Sequence, residues 1–169
     1  EAFAVLKAAD AKKVRSVAEK MDQDLKNEYR VTDGGVYVLA ETAQSARLAM
    51  DEDATRRVLT FLSCAPDGVQ AMSADIPGLV QTSLNLGILK TAEEEVTAAF
   101  ALRSSVESQK TMLLHRLERL TAALGGRAEA VGDYPAWAYR ADSPLRELMV
   151  EVYREQYGEE PKIEAIHAG

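Results

Sequence analysis

Three side chains in this sequence are of types that recognise or transform small molecules, and their spacing sorts them. Arg103 follows Val96, Ala98, Phe100 and Leu102, whose even positions make one apolar face, so Arg103 falls on the opposite face beside Ser104 and Ser105. A guanidinium so placed can present a bidentate fork to a carboxylate. Periodicity alone favours a plainer reading, a surface arginine paired with a nearby acid. His115 stands between Leu114 and Arg116, off a leucine stripe, and reads as an exposed helix histidine. His167 follows the apolar run from Ile163 to Ile166, which reads as a strand delivering the imidazole elsewhere.

Other candidates carry less. No Cys-x-x-Cys or His-Glu-x-x-His spacing occurs, so no metal site of the usual local kind is present. Glu93-Glu94-Glu95 could pass for a catalytic carboxylate cluster, but at a hairpin tip it is a solvated loop that discourages edge pairing. No G-x-S-x-G, P-loop or dinucleotide fingerprint occurs, and Gly34-Gly35 and Gly125-Gly126 read as turns.

Elements of alternating type must position these residues. Ala2 to Ala8 is short and apolar and predicts a strand. Asp10 caps a helix with the stripe Val14, Val17, Met21, Leu25, and Asp33-Gly34-Gly35 ends that segment. Val36 to Ala40 predicts another strand. Thr42 or Ser45 then caps a helix with Met50, Ala54, Val58, Phe61 and Leu62 on one face, which Pro66-Asp67-Gly68 stops. Gln70 to Gly78 reads as loop. Val80, Thr82, Leu84, Leu86 and Ile88 alternate with smaller or more polar residues, as do the even positions from Val96 to Leu102, which predicts a hairpin with one buried face. Ser104 and Glu107 form a capping box before a helix with the stripe Leu113, Leu117, Leu120, Leu124. Ala128 to Val131 predicts a return strand.

Beyond Gly132 the character changes. Tyr134-Pro135-Ala136-Trp137-Ala138-Tyr139 is an aromatic linker. Ser143 and Pro144 then start a helix, with Leu145, Leu148, Met149, Val152 and Tyr153 on one face and Gly158 at its end. Strand-strand-helix-strand is half of a ferredoxin-like sandwich, an antiparallel sheet with helices on one face. The fold class is therefore α+β. A ferredoxin-like domain over 1–136 is followed by a helix-strand piece of another, α/β domain over 137–169. The apolar run at the C-terminus and the missing initiator Met read as an internal piece of a larger protein.

Composition bounds the class. The 169 residues are 47% hydrophobic and 28% charged, as in ordinary globular proteins. A net charge of −7 with interspersed signs leaves no nucleic-acid footprint and no attraction to an anionic membrane. No apolar run approaches the roughly 20 residues of a membrane span. Glu1 to Val5 lacks the basic start of a signal peptide. One cysteine, Cys64, cannot form an internal disulfide, and a cytoplasmic location is the simplest expectation.

From Val80 to Gly169 the chain resembles the aminoacyl-histidine dipeptidases, also called peptidase D or cytosolic non-specific dipeptidase, among the two-metal exopeptidases that include carnosinase. The match rests on five segments that recur in order. They are Thr82-Ser83-Leu84-Asn85-Leu86-Gly87, Leu102-Arg103-Ser104-Ser105, Gly132-Asp133-Tyr134-Pro135-Ala136-Trp137, Asp142-Ser143-Pro144 and Ile166-His167-Ala168-Gly169. Ala136 stands where the family has glycine. Residues 1–68 are less distinctive.

The resemblance implies a catalytic α/β domain interrupted by a lid domain that also makes dimer contacts. Residues 1–136 would belong to the lid, and 137–169 would begin the return to the catalytic domain. Arg103 matches the lid arginine that grips the C-terminal carboxylate of a dipeptide, and His167 matches a histidine near the active site. The family hydrolyses Xaa-His and other dipeptides through a water bridging two divalent ions, zinc being the expected metal. Its metal ligands and general base have no counterpart in these 169 residues, so the chain alone should be inactive. Two further readings stand beside this one. One is a free-standing ferredoxin-like small-ligand-binding or dimerisation module. The other is a homologue that keeps the lid and has lost its metals.

Overall fold

The structure, a computed structural model, describes residues 2–43 and 48–166. The chain divides into two compact units, Glu1–Glu52 and Asp53–Gly169.

The first unit is built on helix α1, Ala11–Glu28. Asp10 caps it as expected, its Oδ1 accepting from Lys12 N at 2.9 Å and Lys13 N at 3.1 Å. The half-buried face is Val14, Ala18, Asp22 and Leu25, whereas Val17 and Met21 are exposed, so the stripe is rotated from its expected position. Asp22 explains the rotation. Its Oδ1 accepts the Val38 N–H at 2.9 Å, and its Oδ2 meets Lys26 Nζ at 2.7 Å. Val36, Val38 and Ala40 are half-buried in alternation, yet 36–40 is not a strand, because no strand among the described residues offers it a ladder. The expected strand at Ala2 to Ala8 is likewise not formed, and Phe3 is 93% exposed. Thr42 caps no helix; Ser45 lies outside the described residues.

Helix α2 spans Glu52–Cys64, starting later than its expected caps, with Ala54, Val58, Phe61 and Leu62 half-buried. Three antiparallel strands follow in the order β1 (Gly68–Met72), β2 (Val80–Thr91), β3 (Val96–Ser104). The β2–β3 hairpin matches the expectation. Strand β1 does not: its small residues read as loop, and it pairs with β2 through two register irregularities. A second departure sits at Gly87. Leu86 pairs with Phe100 but Ile88 pairs with Ala99, so a bulge reverses the alternation and turns Ile88 to the open face, 52% exposed.

Helix α3, Glu107–Ala123, packs on β3. Leu113 and Leu117 are buried from α3 and Leu84 from β2, and Phe61 of α2 meets Phe100 edge-on at 6.0 Å. Both helices therefore cover the even face of the hairpin. This is the α+β arrangement expected, with helices on one side of an antiparallel sheet. The Ser104–Glu107 capping box is not formed. The N-cap is Val106 without a side-chain bond, and Ser104 Oγ instead accepts from Val106 N at 3.0 Å. Ser104 is the last residue of β3, too far upstream to reach the orphan N–H groups of the first turn.

Residues 127–131 form no return strand, and Val131 is 83% exposed. Helix α4, Pro144–Tyr157, forms as expected. Ser143 Oγ accepts from Arg146 N, and Gly158 closes the helix in the left-handed region at φ 71. Its apolar face is open: Leu145, Leu148, Met149 and Val152 are all exposed. The expected strand from Ile163 to Ile166 is not formed among the described residues.

Candidate carboxylate-binding site

The odd positions of β3 make the uncovered side of the sheet. Thr97, Ala99, Ala101 and Arg103 are all exposed. Arg103 faces Ser83 across the β2–β3 ladder, and Ser83 faces Val69 across the next. Asn85 and Ala101 form the adjacent pair in register. The neighbours of Arg103 on this face are thus short or uncharged. Among the described residues no carboxylate forms an ion pair with it.

The strand end that carries Arg103 is fixed from behind. Thr82 is buried at 1% exposure, its hydroxyl 2.8 Å from Ser104 Oγ and hydrogen-bonded to Gln109 Oε1. With the Thr82 hydrogen given to Gln109, Ser104 Oγ donates to Thr82 Oγ1 and accepts the Val106 N–H at 3.0 Å. This network ties adjacent strands to the first turn of α3, and a buried, satisfied network of this kind restricts the backbone beside it. The alternation placed Thr82 correctly on the covered face but gave no sign of its partners, which come from 22 and 27 residues away.

The remaining candidates are scattered. His115 is exposed on α3 and makes no part of this face. His167 lies outside the described residues. Glu93, Glu94 and Glu95 are exposed in the β2–β3 turn, closed by Ala92 N donating to Glu95 O at 2.8 Å. Cys64 is free and exposed at the end of α2. Among the described residues no group of three or more His, Cys, Asp or Glu side chains could hold a metal ion. The described residues do not fit a two-metal site. A shallow groove beside α4 is lined by Arg146, Glu147, Val150, Glu151, Arg154 and Ile163, with Arg154 paired to Glu160. No helix among the described residues is long and apolar enough to cross a membrane.

No protein-family model matches the sequence. The cytosol non-specific dipeptidase of Escherichia coli K12 is 30% identical over 171 aligned residues, which cover all of this chain and 35% of that protein. The aminoacylhistidine dipeptidase of Vibrio alginolyticus has a solved structure that superposes with a TM-score of 0.84 at 28% identity, over 94% of this chain and 32% of that one. Sequence and fold therefore agree that this chain is a homologue of the aminoacylhistidine dipeptidases and spans 35% and 32% of the lengths of these two relatives.

Proposed function

We propose that the chain is part of a cytoplasmic metal-dependent dipeptidase and that its own contribution is to bind substrate rather than to perform the chemistry. Arg103 receives the free C-terminal carboxylate of a dipeptide, and His167 lies near the same substrate. Residues 1–136 act as lid and dimer surface, and 137–169 begin the return to a catalytic domain. Two divalent ions, taken to be zinc, are held by residues other than those described, and the chain by itself has no activity.

The observation that carries this reading is the state of Arg103. It is a cation on an open sheet face, with short neighbours and no paired carboxylate among the described residues, in a chain homologous to dipeptidases throughout. A dipeptide supplies the missing anion in the planar form a guanidinium matches.

In the full-length enzyme, Arg103→Ala should raise KM for dipeptides by roughly 10- to 150-fold, the equivalent of one charge-assisted hydrogen-bonded pair. Dipeptides amidated at the C-terminus lack the carboxylate and should lose little more. An equal loss on both substrates would show that Arg103 does not clamp the carboxylate.

A further inference from the structure

The first turn of α3 is anchored on two sides by consecutive residues. Gln109 faces the sheet and takes the Thr82 hydroxyl. Lys110 faces the other way. Its Nζ meets Asp133 Oδ1 at 2.8 Å, Tyr134 O at 2.8 Å and Glu107 Oε2 at 3.1 Å. An ammonium has three donors, so its hydrogen-bonding capacity is fully used. Glu107 Oε2 also accepts the Ala136 N–H at 3.3 Å. The Lys110 side chain is only 15% exposed, although both of its acidic partners are largely exposed. Hydrogen bonding to Asp133 raises its pKa above the ordinary 10.5, against the opposing effect of desolvation.

These contacts converge on one short stretch. Gly132, at φ 67, turns the chain, and Asp133, Tyr134 and Ala136 are then each held by Glu107 or Lys110. The residues on either side, Val131 and Trp137, are 83% and 90% exposed. Directional, charge-assisted bonds therefore hold a stretch whose flanking apolar side chains lie open. We propose that the first turn of α3 is a two-sided joint in which Lys110 positions the 132–137 segment relative to the strand end that carries Arg103. Gln109 and Ser104 secure that strand end, and Lys110 and Glu107 secure the segment leading toward α4. The joint is independent of what Arg103 binds.

Trp137 is the single tryptophan among these 169 residues and follows the joint directly; with any tryptophan outside them replaced by phenylalanine, it reports on the segment without a label. In the full chain, Lys110→Met keeps most of the aliphatic stem and removes all three bonds. The fast component of the Trp137 fluorescence anisotropy decay should grow about twofold. The amides of Asp133, Tyr134 and Ala136 should exchange with deuterium about tenfold faster or more, with those of β2 and β3 unchanged. Lys110→Arg, which keeps the charge, should restore most of the wild-type behaviour. Unchanged anisotropy and exchange in Lys110→Met would overturn the proposal. So would faster exchange in β2 and β3 in step with the segment, because Lys110 would then support the fold as a whole. If Lys110→Met fails to fold, Asp133→Asn alters an exposed side chain and is read on the same scale. It should loosen the segment less but in the same direction, and no change there would equally overturn the proposal.

Discussion

Residues 80–124 and residues 127–166 carry similar apolar patterns and come to opposite ends. In the first stretch Leu84, Leu113 and Leu117 are buried beneath a sheet and two helices. In the second, α4 has a helix of comparable length, correct caps at both ends and a clear apolar face, yet Leu145 is 67% and Met149 64% exposed. The difference teaches that amphipathic periodicity specifies a face and not its partner. Caps and propensity shape α4, but only a second apolar surface can bury what it presents.

The contrast is broken most directly by truncation. Leu84→Ala should destabilise the chain by about 2–5 kcal/mol, since the site lies between β1, β3 and a helix layer and cannot readily collapse. Leu148→Ala on α4 should change stability by less than about 0.5 kcal/mol. Thermal unfolding of both variants tests the pair, and equal losses would show that α4 is buried in solution. Thr82→Val comes next. It keeps the shape and leaves Gln109 Oε1 without its hydroxyl partner, which should cost about 1–3 kcal/mol in denaturant unfolding. A neutral result would mean that water serves the amide as well as Thr82 does.

The smallest effect belongs to the first unit, where one carboxylate does what packing does elsewhere. The Lys26 hydrogen bond, and after it the Val38 N–H, hold Asp22 below its ordinary 3.8. A depressed carboxylate contributes stability that is complete above its ordinary pKa and is lost as pH falls through the lowered value. Wild type should therefore lose protection of the Val38 amide on acidification below the ordinary carboxylate range, as pH falls through the lowered value. Asp22→Asn should show less pH dependence there. Identical profiles would remove Asp22 from the account of 36–40.

Where the sequence was informative, the signal was local. Asp10 before α1, Ser143 and Pro144 before α4, and Gly158 after it are caps whose chemistry spans three or four residues. The β2–β3 hairpin declares itself by alternation up to Leu86, and the same alternation puts Arg103 on the open face. Beyond those distances the reading failed for physical reasons. Ser104 and Glu107 have capping-box spacing, yet β3 runs through Ser104 and the helix begins only at Glu107. Gly87 looks like one more small residue in a strand, and only the pairing with β3 reveals the bulge that redirects Ile88.

By itself, then, the sequence determined helix ends, turn positions and which face of each segment is apolar, because these depend on backbone conformation and neighbours a few residues away. Whether an extended segment becomes a strand was decided by tertiary structure. Gly68–Met72 has poor strand composition and is one, because β2 lies beside it to take its hydrogen bonds. Residues 163–166, with isoleucine at both ends, have better composition and are not one, because no strand among the described residues pairs with them. The surroundings of Arg103 were settled in the same way. Its open face, its short neighbours and the Thr82–Ser104–Gln109 network beneath it arise from contacts between residues far apart in the chain, which no local pattern records.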